Sequence, residues 1–280
     1  MSHPEIFERP AVPPSGPEPP PSGAEPLSAR VAHAPAGQLP AHAPAALEGA
    51  AGAGAWSVAG WSQRVRVKIC GLTNAADAEA AIEAGADALG FNTWSGSRRF
   101  LELEKAADWI AALPSFVTRV ALCVNAPAEE AARIVGMPFI DAVQLHGDET
   151  REYCLSLAAL KRPVIRAVRL ERLEQAATLG LWGTRQVLID AAVVGAYGGT
   201  GARLDLELAA LTVGHWVGHR TGLCLTLAGG LDPDNVAEAV RVVRPYAVDV
   251  ASGVESAPGR KDPSKMRAFV QAIAEASRSV

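Results

Sequence analysis

The sequence predicts a closed (β/α)8 barrel, the TIM-barrel class, preceded by a disordered N-terminal tail rich in Pro, Ala and Gly. Eight short runs rich in Val, Ile and Leu alternate with eight stretches of helical period between residues 65 and 276. Near-continuous apolar runs are typical of parallel strands that are covered on both faces. Residues 61–280 number 220, which suits a single barrel, since such domains run about 200–250 residues. A doubly wound open sheet is the alternative.

The predicted tail differs from the rest of the chain in composition. Residues 1–60 hold 12 of the 20 prolines and 7 of the 26 glycines, and they contain no Lys, Asp or Cys. A segment with so few large apolar side chains buries too little surface to offset the conformational entropy lost on ordering. We therefore expect residues 1–62 to be a disordered extension and residues 63–280 to form the barrel.

The strands are predicted at the apolar runs. In chain order these runs are VRVKICG (65–71), DALGFNT (87–93), TRVALCV (118–124), AVQLHG (142–147), VIRAVRL (164–170), QVLIDAA (186–192), LCLTLAG (223–229) and YAVDVAS (246–252). Each run is six or seven residues long and largely apolar, as expected of a barrel strand.

The helices are predicted between the strands. They are expected at 75–86, 101–114, 127–136, 148–160, 170–180, 204–213, 232–243 and 262–276. Gly85 is a candidate C-terminal cap of the first helix. Asp232-Pro233 and Asp262-Pro263 each combine a capping carboxylate with a proline suited to the first helical turn, so they predict two helix starts.

Composition argues against several classes of protein. No run of 18 uninterrupted apolar residues is present, so we expect no membrane span, and the N-terminus lacks the basic and apolar regions of a secretory signal. The net charge is −4, of which residues 1–60 supply −3, which predicts no nucleic-acid surface. Cys70, Cys123, Cys154 and Cys224 are widely spaced. This spacing predicts no metal site, and single thiols suggest the reducing cytoplasm.

Candidate chemistry lies at the ends of the predicted strands, because barrel active sites are built at the carboxyl ends of the strands. Cys70 ends the first run and Asp190 lies near the end of the sixth. A thiolate can serve as a base or nucleophile, and a desolvated Asp can serve as a general acid. Either residue could instead be structural, since strand cysteines are often buried packing groups.

Two glycine-bearing turns follow the last two strands. They contain Gly229-Gly230 and Ser252-Gly253. Barrels commonly bind phosphate at these two loops through bare backbone N–H groups, and glycine allows the backbone to approach the anion closely. The turns therefore predict a phosphate site opposite the candidate acid and base, although two ordinary turns would look the same.

Five collinear segments carry a resemblance to a known family. They are KICGLTNAADAEAAIEAGADALGF (68–91), VQLHGDE (143–149), GAYGGTGARLD (195–205), LAGGLDPDNV (227–236) and VDVASGVESAPGRKDPSKMRAFV (248–270). The set resembles phosphoribosylanthranilate isomerase, an enzyme of tryptophan biosynthesis. The resemblance implies an Amadori rearrangement of a phosphoribosyl amine, with Cys70 as general base and Asp190 as general acid. It implies no metal, no cofactor and no obligate protein partner.

The resemblance also implies the substrate-binding residues. Gly229, Gly230, Ser252 and Gly253 match the family's phosphate loops. The loop GSRRF (96–100) matches the loop whose arginine faces the anthranilate carboxylate, which implies Arg99 and leaves Arg98 as the alternative. His146 in QLHG either touches the substrate or holds the fourth strand. This chain departs from the family pattern at two positions. The family usually has Lys after GGTG, where this chain has Ala202, and it usually has two serines before GVE, where the first is replaced by Ala251 in this chain.

Other functions are less well supported by the same residues. A histidine-pathway sugar isomerase would need Asp in place of Cys70, and indole-glycerol-phosphate synthase would need a carboxylate pattern to partner Lys68 that is absent here. A non-catalytic barrel that binds partners through the Pro-rich segment 13–23 is the remaining alternative. The presence of both Cys70 and Asp190 favours an enzyme over that scaffold.

Overall fold

Eight parallel strands close into a barrel in the computed structural model of the chain, which describes residues 64–191, 205–218 and 222–278. The strand order around the barrel is the order in the sequence, with β1 paired to β8. The strands are β1 (Arg66–Cys70), β2 (Ala88–Asn92), β3 (Thr118–Cys123), β4 (Ala142–Leu145), β5 (Val164–Leu170), β6 (Gln186–Ala191), β7 (Cys224–Leu227) and β8 (Ala247–Val250). The predicted barrel is therefore confirmed, and every strand lies within its predicted run. The expected tail, residues 1–62, lies outside the described residues.

Successive side chains along each strand point alternately toward the helices and toward the barrel interior. On β1, Val67 and Ile69 join the large core between the sheet and the helices, whereas Lys68 and Cys70 occupy the inward positions. Inward positions of the other strands form a smaller apolar cluster that fills the barrel: Val120, Ala142, Ile165, Ala167, Leu188 and Ala228. The interior is thus a packed core that gives way to polar side chains at its carboxyl end.

Seven helices of the described residues cover the barrel. They are α1 (Ala75–Ala84), α2 (Leu103–Ala111), α3 (Ala128–Val135), α4 (Arg151–Ala158), α5 (Leu206–Gly218), α6 (Val236–Val243) and α7 (Pro263–Arg278). Gly85 ends α1 with φ 101°, in the left-handed region that glycine adopts most readily. None of the helices in this part of the chain is long and apolar enough to cross a membrane.

The two predicted Asp-Pro helix starts differ. The carboxylate of Asp262 accepts hydrogen bonds from the backbone N–H groups of Ser264 and Lys265, so it caps α7 as expected. Asp232 instead accepts from the N–H groups of Asp234 and Asn235, which closes a turn before α6 begins at Val236. The prediction that this helix begins at Asp232-Pro233 is therefore wrong by one turn.

The segment predicted as a helix at 170–180 is a 3₁₀ helix, Leu173–Trp182. An α-helix would use the carbonyl of Ala176 to bond the N–H of Gly180. Here the indole Nε1 of Trp216, on α5, donates to that carbonyl at 2.8 Å, and the ring lies where a Gly180 side chain would stand. The carbonyl of Ala176 therefore accepts a tertiary hydrogen bond from α5 within this segment.

A small antiparallel hairpin follows β8. It consists of β9 (Glu255–Ala257) and β10 (Arg260–Lys261), and a three-residue 3₁₀ turn, Ser252–Val254, precedes it. The hairpin lies at the carboxyl end of the barrel, because Lys261 Nζ donates to the carbonyl of Ala251 just after β8. It brings the charged residues Glu255 and Lys261 to the face where the candidate site lies.

Candidate active site

Cys70, His146 and Asp190 occupy inward positions at the carboxyl ends of β1, β4 and β6. All three side chains are buried, with 5–7% of each residue exposed. The Nε2 atom of His146 lies 3.0 Å from Oδ2 of Asp190. Because β5 separates β4 from β6 in the sheet, this contact crosses the barrel interior. The structure thus places the predicted acid inside the barrel mouth with His146 beside it.

A hydrogen-bonded chain leads from Asp190 to Gln144. The amide Nε2 of Gln144 lies 3.0 Å from Nδ1 of His146, and an amide nitrogen can only donate. A neutral His146 ring therefore accepts at Nδ1, carries its proton on Nε2 and donates it to Oδ2 of Asp190. This arrangement holds one carboxyl oxygen of Asp190 in place.

Cys70 lies beside a buried ion pair. Lys68 is two residues earlier on β1, and its Nζ lies 2.8 Å from Oδ1 of Asp249 on β8. Burial raises the pKa of the Cys70 thiol, while the Lys68 ammonium opposes that effect. Burial acts to lower the pKa of Lys68, but the negative charges of Asp249 and Cys70 outweigh it and hold that pKa above its usual value. Lys68 therefore keeps its positive charge beside the thiol.

Gly90 makes room for these two side chains. It pairs with Cys70 in the β1–β2 register. A Cβ atom at Gly90 would lie 2.7 Å from Sγ of Cys70 and 3.0 Å from Nζ of Lys68, closer than side-chain atoms pack. The thiol and the ammonium consequently share the space above this glycine.

Arg99 lies across Gly71, the residue that follows Cys70. A Cβ at Gly71, whose φ is 75°, would lie 2.3 Å from Cδ of Arg99. The guanidinium meets Glu255 through two parallel hydrogen bonds, from Nε at 2.7 Å and from Nη2 at 2.8 Å. Lys261 Nζ lies 3.0 Å from Oε1 of the same carboxylate. Arg99 is therefore held at the mouth of the barrel, whereas Arg98 is exposed.

The two predicted phosphate turns touch each other. Gly229 and Gly230 have φ values of 95° and 61°, in the left-handed region that favours glycine. A Cβ at Gly253 would lie 1.9 Å from the carbonyl oxygen of Leu231, so only glycine allows the loop after β8 to approach the loop after β7. Ser252 begins the 3₁₀ turn next to this contact. The loops therefore present one continuous stretch of backbone at the mouth.

Several site residues have no assigned role in the sequence-based prediction. Gln144, Lys68, Asp249, Glu255 and Lys261 are buried polar residues around the predicted acid, base and arginine. The inward and outward alternation of side chains along a strand could have identified Lys68, Gln144 and Asp249. Each is a polar residue at an inward position of an otherwise apolar strand, and such residues are costly to bury without a partner. The matched segment 195–205 lies outside the described residues except for Asp205.

The family profile described as "PRAI: N-(5'phosphoribosyl)anthranilate (PRA) isomerase" matches residues 67–272. The chain is 45% identical to N-(5'-phosphoribosyl)anthranilate isomerase of Magnetococcus marinus over 214 residues, which are 76% of this chain and 96% of the relative. It is 46% identical to the same enzyme of Trichlorobacter lovleyi over 214 residues, 76% of this chain and 99% of the relative.

The chain is also similar to solved structures of phosphoribosyl anthranilate isomerases. The structure of phosphoribosyl anthranilate isomerase from Thermotoga maritima superposes with a TM-score of 0.66 and 37% identity, covering 75% of this chain and 99% of that one. A phosphoribosyl anthranilate isomerase in complex with reduced 1-(o-carboxyphenylamino)-1-deoxyribulose 5-phosphate has a TM-score of 0.64 and 36% identity, with the same coverage of both chains. The profile match spans most of the barrel, and the relatives are covered almost completely. The chain therefore belongs to the N-(5'-phosphoribosyl)anthranilate isomerase family.

Proposed function

We propose that the protein isomerises N-(5'-phosphoribosyl)anthranilate to 1-(2-carboxyphenylamino)-1-deoxyribulose 5-phosphate, with Asp190 as general acid and Cys70 as general base. The observation that carries the proposal is the inward placement of both residues at the carboxyl end of one barrel. A relative of 36% identity is known in complex with the reduced form of that ketose. The reaction belongs to tryptophan biosynthesis, and we propose the cytoplasm as its location.

The chemistry requires one proton to be given and one to be taken. Asp190 donates its proton to the furanose ring oxygen, and the C1–O bond breaks as the nitrogen lone pair forms a Schiff base. The Cys70 thiolate then removes the proton from C2, and the electrons of that C–H bond form an enolamine that tautomerises to the ketose. Correct placement of each group contributes about 10²–10⁴ in rate. These steps use no metal, nucleotide or redox cofactor.

His146 acts through Asp190 in this scheme. By donating from Nε2 to a carboxyl oxygen of Asp190, it orients the carboxyl group that gives up the proton. We therefore assign His146 a positioning role in place of the direct substrate contact that the sequence left open.

The two ends of the substrate bind at separate groups. Arg99 faces the anthranilate carboxylate, because an Arg and a carboxylate make strong paired hydrogen bonds and Glu255 already orients the guanidinium. The phosphate binds to the backbone of Gly229, Gly230, Ser252 and Gly253. Binding energy from both ends holds the ribose between the acid and the base.

The test is a comparison of Cys70→Ser and Asp190→Asn with Cys123→Ser, each assayed by the loss of substrate fluorescence and by thermal melting. Cys123 also ends a strand, but it faces the helices, so its variant controls for the loss of a buried thiol. We expect kcat to fall by about 10²–10⁴ in the first two variants with little change in Tm. Near-normal turnover of Cys70→Ser would refute the base assignment, and near-normal turnover of Asp190→Asn would refute the acid assignment.

A further inference from the structure

We propose that Lys68 is a positioning residue whose ammonium, anchored by Asp249, stabilises the thiolate of Cys70. The inference rests on the proposed role of Cys70 as the base. It assigns a function to the first residue of the KICG segment and to the Asp of VDVAS, neither of which contacts the substrate in the mechanism above. Lys68 and Asp249 act on the reaction only through the charge state of Cys70.

Strand geometry places the three groups together. Lys68 and Cys70 are two residues apart on β1, so their side chains leave the same face of the strand. Asp249 is the direct register partner of Lys68 on β8, and the side chains of the ion pair are only 6% and 8% exposed. The sulfur and the ammonium nitrogen both lie within 3.0 Å of the position that a Gly90 Cβ would occupy. A buried cation and a thiol thus share one pocket.

The charges around Cys70 favour its anionic form. Among the described residues, the cations that act on it are Lys68, Arg99 and Lys261, and the carboxylate is Asp249. Glu255 is the ion-pair partner of Arg99 and Lys261. These groups carry one more positive than negative charge, and a thiolate at Cys70 makes the set neutral. The residue of β2 that pairs with Cys70 is Gly90, which brings no titratable group to the thiol.

Lys68 needs an anionic partner to keep its charge, because burial disfavours the charged form of an ammonium. Asp249 and the Cys70 thiolate are both such partners, and together they hold the pKa of Lys68 above its usual value. In Asp249→Asn the thiolate remains as the partner of the ammonium. The Asp249 carboxylate raises the pKa of the Cys70 thiol, so the two members of the pair act on the sulfur with opposite sign.

The opposite effects of Lys68 and Asp249 on the thiol pKa provide the test. The pKa of the Cys70 thiol is measured from the pH dependence of its alkylation by iodoacetamide, followed by peptide mass mapping that separates it from the other three cysteines. Lys68→Met is expected to raise that pKa by about 1–3 units, the usual effect of an adjacent opposite charge, so alkylation at neutral pH slows by about tenfold or more. Asp249→Asn is expected to lower the same pKa. General disruption of the fold would not move the two variants in opposite directions.

A double variant keeps the test valid if a single change prevents folding. Removal of one partner from a buried pair leaves an uncompensated charge, whereas Lys68→Met with Asp249→Asn removes both charges. The double variant should still raise the thiol pKa, because Lys68 acts on the sulfur more strongly than Asp249 does. A thiol pKa that is unchanged or lowered in both Lys68→Met and the double variant would overturn the proposal.

The activity profile separates this inference from the proposed function. If Cys70 is the base, the acidic limb of kcat/KM shifts with the thiol pKa in each variant. A thiol pKa that shifts while this limb stays fixed would support the electrostatic role of Lys68 and refute Cys70 as the base. Alkylation alone therefore decides whether Lys68 stabilises the thiolate, and the kinetic profile decides whether the thiolate serves the reaction.

Discussion

Replacing Gly90 with Ala adds one methyl group to the pocket of the candidate base. The new Cβ would lie 2.7 Å from the Cys70 sulfur, against an ordinary contact distance of about 3.5–4.0 Å. The sulfur must therefore move by about 1 Å. Misplacement of a catalytic group by that distance can lower the rate by about 10²-fold. Overpacking of this kind costs about 1–3 kcal/mol of stability, so a folded enzyme with a low kcat/KM is expected.

The assay compares kcat/KM and Tm of Gly90→Ala with those of Gly214→Ala. Gly214 lies within α5, and no described residue comes within 4 Å of the Cβ that it would gain. Alanine in a helix is about 1 kcal/mol more favourable than glycine, so this control should keep full activity and gain slightly in Tm. Wild-type kcat/KM in Gly90→Ala would mean that the position of the Cys70 sulfur does not limit the reaction.

Three further results are expected. Arg99→Ala should lower kcat/KM by about 10–100-fold, because it removes a charge-assisted hydrogen bond of about 1.5–3 kcal/mol. Arg98→Ala should change kcat/KM little, and the reverse result would assign carboxylate binding to Arg98. Burial alone would raise the pKa of Glu255, but Arg99 and Lys261 lower it below its usual 4.5. Its ion pairs therefore stabilise the fold fully above pH 4.5 and progressively less below it, and Tm of Glu255→Gln should fall less steeply with acid than that of the wild type. Deletion of residues 1–60 should leave kcat/KM and Tm unchanged, since the family profile matches only from residue 67 onward. Loss of either quantity would show that the segment contacts the barrel.

The strands of the barrel could be predicted because they are specified locally. Each is a short apolar run that a parallel sheet buries on both faces, so composition alone locates it. The segment 173–182 could not be predicted in the same way, because its tertiary contacts include the indole of Trp216, which lies about forty residues later in the sequence. The turn at Asp232 is a similar case, since an Asp-Pro pair can cap a helix or close a turn.

The candidate acid, base and arginine could be proposed from strand ends and from family resemblance, but their partners could not. Gln144 and Glu255 contribute through hydrogen bonds to His146 and Arg99, and nothing in the local sequence identifies those partners. Lys68 precedes Cys70 by two residues, so alternation alone would have placed it beside the thiol. Its pairing with Asp249 depends on barrel closure, which joins residues 181 apart in sequence.

The pairing of β1 with β8 therefore has a consequence for the folding of the enzyme. Lys68 meets Asp249 only when the last strand reaches the first, and because such a long-range contact carries a large loop-closure cost we expect it to form late in folding. A chain whose ring is still open exposes the Cys70 thiol to solvent and leaves it without its cationic neighbour. A brief pulse of iodoacetamide during refolding is then expected to label Cys70 until the ring closes, so alkylation of the candidate base would report the closure of the barrel.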